Sequence, residues 1–526
     1  MDTNATSLNT FLLYGLAVVT IGITCLLLKI QALRSLPLPP GPTPWPLVGN
    51  VTDLTPRELW ITAQTWSQQY GDIVYTHLFG KGIIFLNSID VVNDLLDKRA
   101  PLYSDKPRLI MANELCGCGN MVVFTNYGDR ARRQRRLMSH TLSASHIHKQ
   151  NENIELEARG MLERMLEGGD AFAHLRRYSV GYIIRIVYGI ELRDDDGTLK
   201  LLELEERASD LLANKILAGG GVWAVDMMPS LKHLPEWFPG AGFLRKSRSW
   251  KKTFDDLREQ PWEILRQNMM SGIFTPSFCS ELLQTSTSLT MQAETDIKDT
   301  AMSMYSASID TTSAIVAHFV LEMMNHPEVQ RKAQAELDTV LGGRLPTCDD
   351  RGPSLPYINA LVEEVLRWSA VVPLSLPRCL LEDDDYKGMH LPKGSIILVN
   401  VWKIVRDEKI YPDPYQFDPE RFVEKSNDNV PTKQPDPTQY IFGFGRRRCP
   451  GVHLATTSLW FVIASILATF DIQKPLGGNG VPIEPIVTFD NSIFRTPSDF
   501  EVNIIPRANA KEMLRNSVRP SALHQQ

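Results

Sequence analysis

The chain has 526 residues, 43% hydrophobic and 22% charged, with a formal net charge of −6. That balance is no footprint of a nucleic-acid binder, and the length allows a large buried core. Seven scattered cysteines argue against a disulfide framework and for a reducing compartment.

Residues 11–28 (FLLYGLAVVTIGITCLLL) carry no charge. As a helix they rise about 27 Å, close to the hydrocarbon thickness of the endoplasmic reticulum membrane. Charges follow the run (Lys29, Arg34) and only Asp2 precedes it, unlike a cleaved signal peptide. By the positive-inside rule the body faces the cytosol. The expected layout is a lumenal stretch 1–10, one transmembrane anchor 11–30, a proline-rich hinge 31–50, a body 51–507 and a polar tail 508–526. Asn4-Ala5-Thr6 is a candidate glycosylation sequon on the lumenal side. Leu36 to Pro46 holds too many prolines for helix and reads as a stiff polyproline II-like strut.

Pro56 to Tyr70 reads as an amphipathic helix. Asp72–Leu78 and Gly82–Leu86 read as short strands, and Asp90 as the cap of a second short helix. Periodicity fades from Pro101 to Thr125, and the Cys116-Gly117-Cys118 pair in that stretch lacks a second pair to complete a zinc site. Asp129 to Arg136 then carries five arginines, whose simplest reading is a solvated basic face. Glu155–Leu166, Phe172–Tyr188, Leu201–Leu217 and Arg248–Met270 show helical spacing. The apolar loop Leu234–Gly240 is either buried or dips into a bilayer.

From Thr295 to Asn325 there is neither Pro nor Gly, which predicts a helix of about 45 Å ending at His326-Pro327. Its middle reads Ala307-Ser308-Ile309-Asp310-Thr311-Thr312. An acid and an alcohol in an apolar helix need a reason, unless the Thr merely back-bonds on a wet face. Tyr357–Trp368 is a further helix, with Glu364 and Arg367 on one face. Tyr386 through Val401 reads as a hairpin of strands, Phe489–Phe494 as a turn and Phe500–Ile505 as an edge strand.

The most informative stretch is Phe442-Gly443-Phe444-Gly445-Arg446-Arg447-Arg448-Cys449-Pro450-Gly451, followed by an apolar helical run from Leu454 to Phe470. Glycines let backbone N–H groups approach sulfur, and a helix start and Arg447 favour the thiolate. A lone cysteine is usually a small buried hydrophobe. The spacing F-x-x-G-x-R-x-C-x-G, however, arises by chance in roughly one chain in ten thousand of this length. On this loop, the Asp310-Thr311-Thr312 helix, Glu364-x-x-Arg367 and Pro419-Glu420-Arg421-Phe422, the chain resembles the cytochrome P-450 family. The Pro40-Gly41-Pro42 hinge and the Tyr127-Gly128-Asp129-Arg130 string look most like fungal microsomal members of secondary metabolism.

The resemblance implies a mainly α fold, a triangular helical prism with a small β region, preceded by one transmembrane helix. It implies heme b, with Cys449 as axial iron ligand in a loop shaped by Phe442, Gly443, Gly445 and Gly451. Arg447, Arg378 and Arg135 would hold the propionates. Arg135 matches the Arg of a W-x-x-x-R motif whose Trp is Ala131 here, so one indole donor is missing. Asp310 and Thr311 would manage protons and dioxygen. Ser308 replaces the usual Gly and would project near the oxygen groove. Glu364, Arg367 and Arg421 would form a buried structural network locking the loop around Cys449. Pocket candidates are Val122, Phe124, Ala307, Val371, Val372, Leu374 and Phe494, for which ordinary core is the competing reading. Their apolar character suggests a lipophilic substrate such as a terpenoid or polyketide. The implied activity is monooxygenation with O2 and NADPH electrons from a separate membrane reductase, docked in part by the remaining arginines. The alternatives are a heme-thiolate isomerase or dehydratase that needs no reductase, and a non-catalytic heme- or ligand-binding membrane protein.

Overall fold

A computed structural model describes residues 36–517, apart from 56, 194, 218–222, 286–289, 425–432, 479 and 492. The expected lumenal stretch, Asn4, the anchor at 11–30 and the hinge up to residue 35 lie outside the described residues, as does the tail from 518. The longer helices are α1 (Leu59–Tyr70), α2 (Asp129–Leu142), α3 (Asn151–Glu167), α4 (Ala171–Tyr188), α5 (Asp196–Asp210), α6 (Gly242–Ser271), α7 (Met291–Asn325), α8 (Pro327–Leu341), α9 (Pro356–Ser369) and α10 (Val452–Thr469). The strands are β1 (Ile73–Leu78), β2 (Lys81–Leu86), β3 (Arg378–Cys379), β4 (Asp384–Tyr386), β5 (Met389–Leu391), β6 (Ile396–Val399), β7 (Phe470–Gln473), β8 (Phe489–Asn491), β9 (Arg495–Pro497) and β10 (Asn503–Pro506).

Helix α7 is the axis. It starts a turn earlier than the sequence suggests because the Thr290 hydroxyl accepts from the Ala293 N–H as an N-cap. It stops at His326, and Pro327 opens α8, where a missing N–H is harmless. Packed around it are α2, α4, α6, α9, α10 and the β8–β9 hairpin. Helix α10 is apolar on every side. Among the described residues it is the one helix long and apolar enough to cross a membrane, yet 83% of it is buried inside the protein. A helix hydrophobic all round belongs in a core, and α10 lies in this one.

The β region differs from the expected single hairpin. β4 and β5 do pair, but β6 leaves them for a four-stranded sheet ordered β1-β2-β6-β3. Ile83 to Leu86 of β2 are buried, so their free edge needs a partner; β6 supplies it in parallel, Ile83 opposite Ile396. The short helix after β2 is capped by Ser88 rather than Asp90, because the Ser88 hydroxyl reaches the Val91 N–H.

The described part of the hinge is no free strut. The Pro37 carbonyl accepts from the His390 N–H at 2.8 Å and the Pro40 carbonyl from the Tyr75 N–H at 3.0 Å. Prolines lack donors but keep acceptors, so the segment can still bond to β5 and β1. A Cβ on Gly41 would fall 1.9 Å from the Tyr75 oxygen, so only glycine allows this approach. The tail also begins with structure. Ala510–Asn516 is a helix that buries Ala510, Met513 and Leu514, and Arg159 donates to the Leu514 carbonyl at 2.6 Å. Its apolar spacing was hidden among polar neighbours.

Glu364 and Arg367 are fully buried and paired at 2.6 Å and 2.7 Å. Arg421 reaches the same carboxylate at 3.3 Å. Both arginines also donate to carbonyls between Val405 and Gln416. The network therefore clamps the 405–421 segment. It meets the cysteine loop indirectly, through Tyr411, which packs edge-on against Tyr440 and donates to the Pro435 carbonyl. Arg367→Met removes the closer of the two guanidinium groups that meet the buried Glu364 carboxylate and leaves Arg421 alone opposite it. A loss of about 3–5 kcal/mol is expected, read as a lower denaturant midpoint of the purified protein.

Candidate active site

Cys449 sits three residues before α10, and its N–H donates to the Phe442 carbonyl at 2.7 Å, which closes the loop. Gly443 and Gly445 both take positive φ there, 77° and 50°. A Cβ on Gly445 would lie 2.3 Å from the Leu96 carbonyl oxygen, so the loop packs this closely only with glycine. Of the six described cysteines, Cys449 alone is exposed. It opens on a cleft of about 510 Å³ lined by Arg135, Arg351, Arg448, Asp436, His453 and Thr456, among others. Close packing pushes its thiol up, while the Gly451 N–H, Arg135 and Arg448 pull it down. The field expected from Arg447 comes instead from Arg135 and Arg448, because Arg447 turns away.

Arg447 donates to the carbonyls of Ser104 at 2.8 Å and Thr125 at 2.7 Å. Arg378, from β3, donates to the Phe444 carbonyl at 2.7 Å and keeps Nη1 buried without a partner. Arg135 donates to the Arg448 carbonyl at 2.9 Å. A fourth cation, Lys106, is buried beside them and donates to the Pro377 carbonyl at 2.9 Å. Among the described residues none of the four has a carboxylate at ion-pairing distance. Burial first, and mutual repulsion second, push Arg378 and Arg447 down to about 10. Lys106 is driven well down by burial and by these two arginines. Sequence reasoning missed Lys106, since the contact that places it spans 271 residues and no motif marks it. Such a wall fits a ligand carrying two carboxylates. Ala131, where the family has Trp, is fully buried.

The middle of α7 presents an open stripe: Ala307 is exposed and Thr311 half-buried, in a helix otherwise largely buried. The Thr311 hydroxyl donates to the Ala307 carbonyl at 3.1 Å. Ser308 does not face this groove. Its hydroxyl pairs with the Tyr182 hydroxyl at 2.6 Å, and Tyr182 also meets Thr312 at 3.1 Å. One helical position from Ala307 rotates the side chain about 100°, which turns Ser308 towards α4. Asp310 likewise faces α4 and α5, with Arg176 at 3.4 Å and the Ser209 hydroxyl donating to it. The acid and the alcohol are thus neighbours in sequence with different surroundings.

The pocket candidates split. Val122 and Val371 belong to the main core around α7, with Phe124, Val372 and Phe494 packed against it. The Val122 N–H donates to the Ser303 hydroxyl of α7 at 3.0 Å, and the Arg495 N–H to the Val371 carbonyl at 2.9 Å. Leu374 packs instead with the two clusters around the sheet, because Pro373 ends the run and redirects the chain. The arginine cluster splits too. Arg130 pairs with Asp299 at 2.7 Å and Arg133 with Asp296 at 2.6 Å, two buried acids of α7. Those two arginines are tied to α7, although Arg133 stays exposed; Arg132, beside Asp129, and Arg136 are exposed as well. The Leu234–Gly240 loop is not buried: Trp237 is 79% exposed and Phe238 is exposed as well. Cys116 and Cys118 are buried, and no metal-binding group of His, Cys, Asp or Glu occurs among the described residues.

A cysteine loop, a basic wall without ion pairs among the described residues and an interrupted apolar helix together point to a heme-thiolate protein of the P450 type. The family model described as cytochrome P450 matches residues 39–503, and the chain belongs to that family. It is 39% identical to cytochrome P450 monooxygenase 208 of Postia placenta, over 91% of this chain and 92% of the relative. Tryptamine 4-monooxygenase of Psilocybe cyanescens is 37% identical, over 89% and 93%. Cytochrome P450 monooxygenase claT of Ampulloclitocybe clavipes is 38% identical, over 92% and 94%. The chain is accordingly a monooxygenase, and its family works with heme held by a cysteine thiolate, O2 and NADPH-derived electrons passed through a reductase. Gly445→Ala should displace the loop and lower the heme content of the purified protein, read as the ratio of Soret to protein absorbance.

Proposed function

We propose that Cys449 is the axial thiolate ligand of heme b in this chain, and that the chain is a membrane-anchored monooxygenase of a lipophilic secondary metabolite. The observation that carries the reading is the unbalanced basic wall. Among the described residues Arg135, Arg378, Arg447 and Lys106 stand together with no carboxylate at ion-pairing distance, Asp97 and Asp105 acting on them only from further off, and the buried Arg378 Nη1 has no hydrogen-bond partner. Two propionates would satisfy that charge, with Lys106 offsetting the indole donor lost at Ala131. A bound metal deprotonates a coordinating thiol outright, which would overcome the desolvation that raises the Cys449 thiol. Phe442, Gly443, Gly445 and Gly451 shape the loop that presents the sulfur.

Heme held there supplies the reductive activation of O2. Thr311 offers its hydroxyl oxygen on the open stripe of α7, where it can orient dioxygen and pass it a proton. Asp310 stores and releases that proton from the adjacent row. Ala307, Val122, Phe124, Val371, Val372 and Phe494 form an apolar wall that excludes water and suits a terpenoid or polyketide. One relative is named for a reaction on tryptamine; the wall residues here carry no charge to meet an ammonium group. Electrons would arrive from NADPH–cytochrome P450 reductase through the cleft beside Cys449, where Arg135, Arg351 and Arg448 outnumber Asp436. Residues 11–30 would anchor the body 51–507 to the endoplasmic reticulum membrane, with the exposed Trp237 and Phe238 touching the bilayer.

In reduced membranes, carbon monoxide should give the Soret band typical of thiolate ligation, and Cys449→Ala should abolish it. Product formation should require NADPH and reductase; turnover without them would instead mark an isomerase or dehydratase. Lys106→Leu should act in opposite directions on two measurements. It should raise the thermal midpoint of heme-free protein, by removing one of four like charges, and speed heme transfer to an acceptor protein.

A further inference from the structure

One row round α7 from the open stripe, Arg176 of α4 faces three carboxylates. Its Nη2 lies 3.4 Å from Glu205 Oε2 and 3.4 Å from Asp310 Oδ1, and its Nε lies 3.0 Å from Glu206 Oε1. Glu205 is buried, Asp310 half-buried, and Glu206 reaches solvent. Ser209, one turn along α5 from Glu205, donates its hydroxyl to Asp310. Tyr305 of α7 and Asp490 of β8 also face this cluster, and Asp490 adds negative charge. One guanidinium cannot neutralise so many carboxylates away from water, so one carboxyl there keeps its proton.

We propose that Glu205 is the proton store of this enzyme: Glu205 and Asp310, both held by Arg176 Nη2, keep one proton between them, and water at the solvent edge of the cluster carries it from Glu205 to Asp310 each time Asp310 gives up its own. The inference rests on the monooxygenase reading and deepens it. The proton leaves the Glu205 carboxyl, which becomes a carboxylate, and arrives on Asp310. Glu206, at the solvent edge, returns a proton from water to Glu205. No electron moves in this exchange; the electrons come from the reductase. Burial, and then the Asp310 charge, push the Glu205 carboxyl up to about 8. Burial raises Asp310 as well, against the pull of Arg176. Glu205 acts through Asp310 and is a positioning residue rather than a catalytic one.

The sign of the pH dependence follows. The folded protein keeps a proton that the unfolded chain releases above about 4.5, so stability falls as pH rises from about 4.5 to about 8 and then levels. Glu205→Gln should flatten that fall in thermal midpoint. The full chain with reductase should be assayed for product and hydrogen peroxide per NADPH. In Glu205→Gln, product formation should slow about tenfold, the peroxide share should rise and the solvent isotope effect should grow. Glu205→Asp should restore most of the product, and the carbon monoxide spectrum should stay unchanged in both. A wild-type peroxide share and a wild-type pH profile in Glu205→Gln would overturn the inference alone. Loss of the thiolate band in the unsubstituted protein would overturn the monooxygenase reading, and the pH slope of the thermal midpoint would still judge Glu205. Where Glu205→Gln does not fold, Ser209→Ala serves: a raised peroxide share supports the store, and an unchanged share overturns it.

Discussion

Positive charge gathered in a poorly solvated interior is the constraint on which this structure depends. Arg135, Arg378, Arg447 and Lys106 come from four separate parts of the chain, and like charges so close repel strongly where water is scarce. What holds them is not opposite charge but backbone carbonyls: Arg448, Phe444, Ser104, Thr125 and Pro377 each accept from one of them. On the proposed reading, the wall is thereby shaped for an anion. Binding energy at such a site is also folding energy, since a ligand that meets only the native state stabilises it by mass action.

The buried Glu364–Arg367–Arg421 network is the opposite arrangement, a complete one. Each guanidinium meets the carboxylate and the carbonyls of the 405–421 segment, so nothing there awaits a ligand. Its rigidity reaches the sulfur through aromatic packing of Tyr411 on Tyr440, just ahead of Phe442. One network is finished and carries load; the other is unfinished and recruits. The difference separates a structural ion cluster from a binding one without recourse to motif.

Local signals were legible in the sequence and distant ones were not. The cysteine loop, α7 and the Glu364–Arg367 pair could be read because spacing within a few residues defines them. Lys106 could not, since its partner carbonyl at Pro377 is remote in sequence. Nor could the fate of Arg130 and Arg133, which depends on Asp299 and Asp296 being buried opposite them. The hairpin pattern puts β6 beside β5 rather than β2, because strand alternation says nothing of which edge is vacant. Ser308 was placed on the groove by analogy, whereas the helical rotation of one residue sends it to Tyr182. The order of Ala510–Asn516 rests on burial of three apolar residues that composition alone conceals.

Consecutive residues of α7 look out on different compartments. Ala307 and Thr311 lie on the open stripe, Ser308 and Thr312 are tied to Tyr182, and Asp310 belongs to the acid cluster of α4 and α5. A bulkier side chain at Ala307 would therefore alter the open stripe and leave the acid row undisturbed. On the proposed reading, substrate range and coupling efficiency are thus separable traits on one rod.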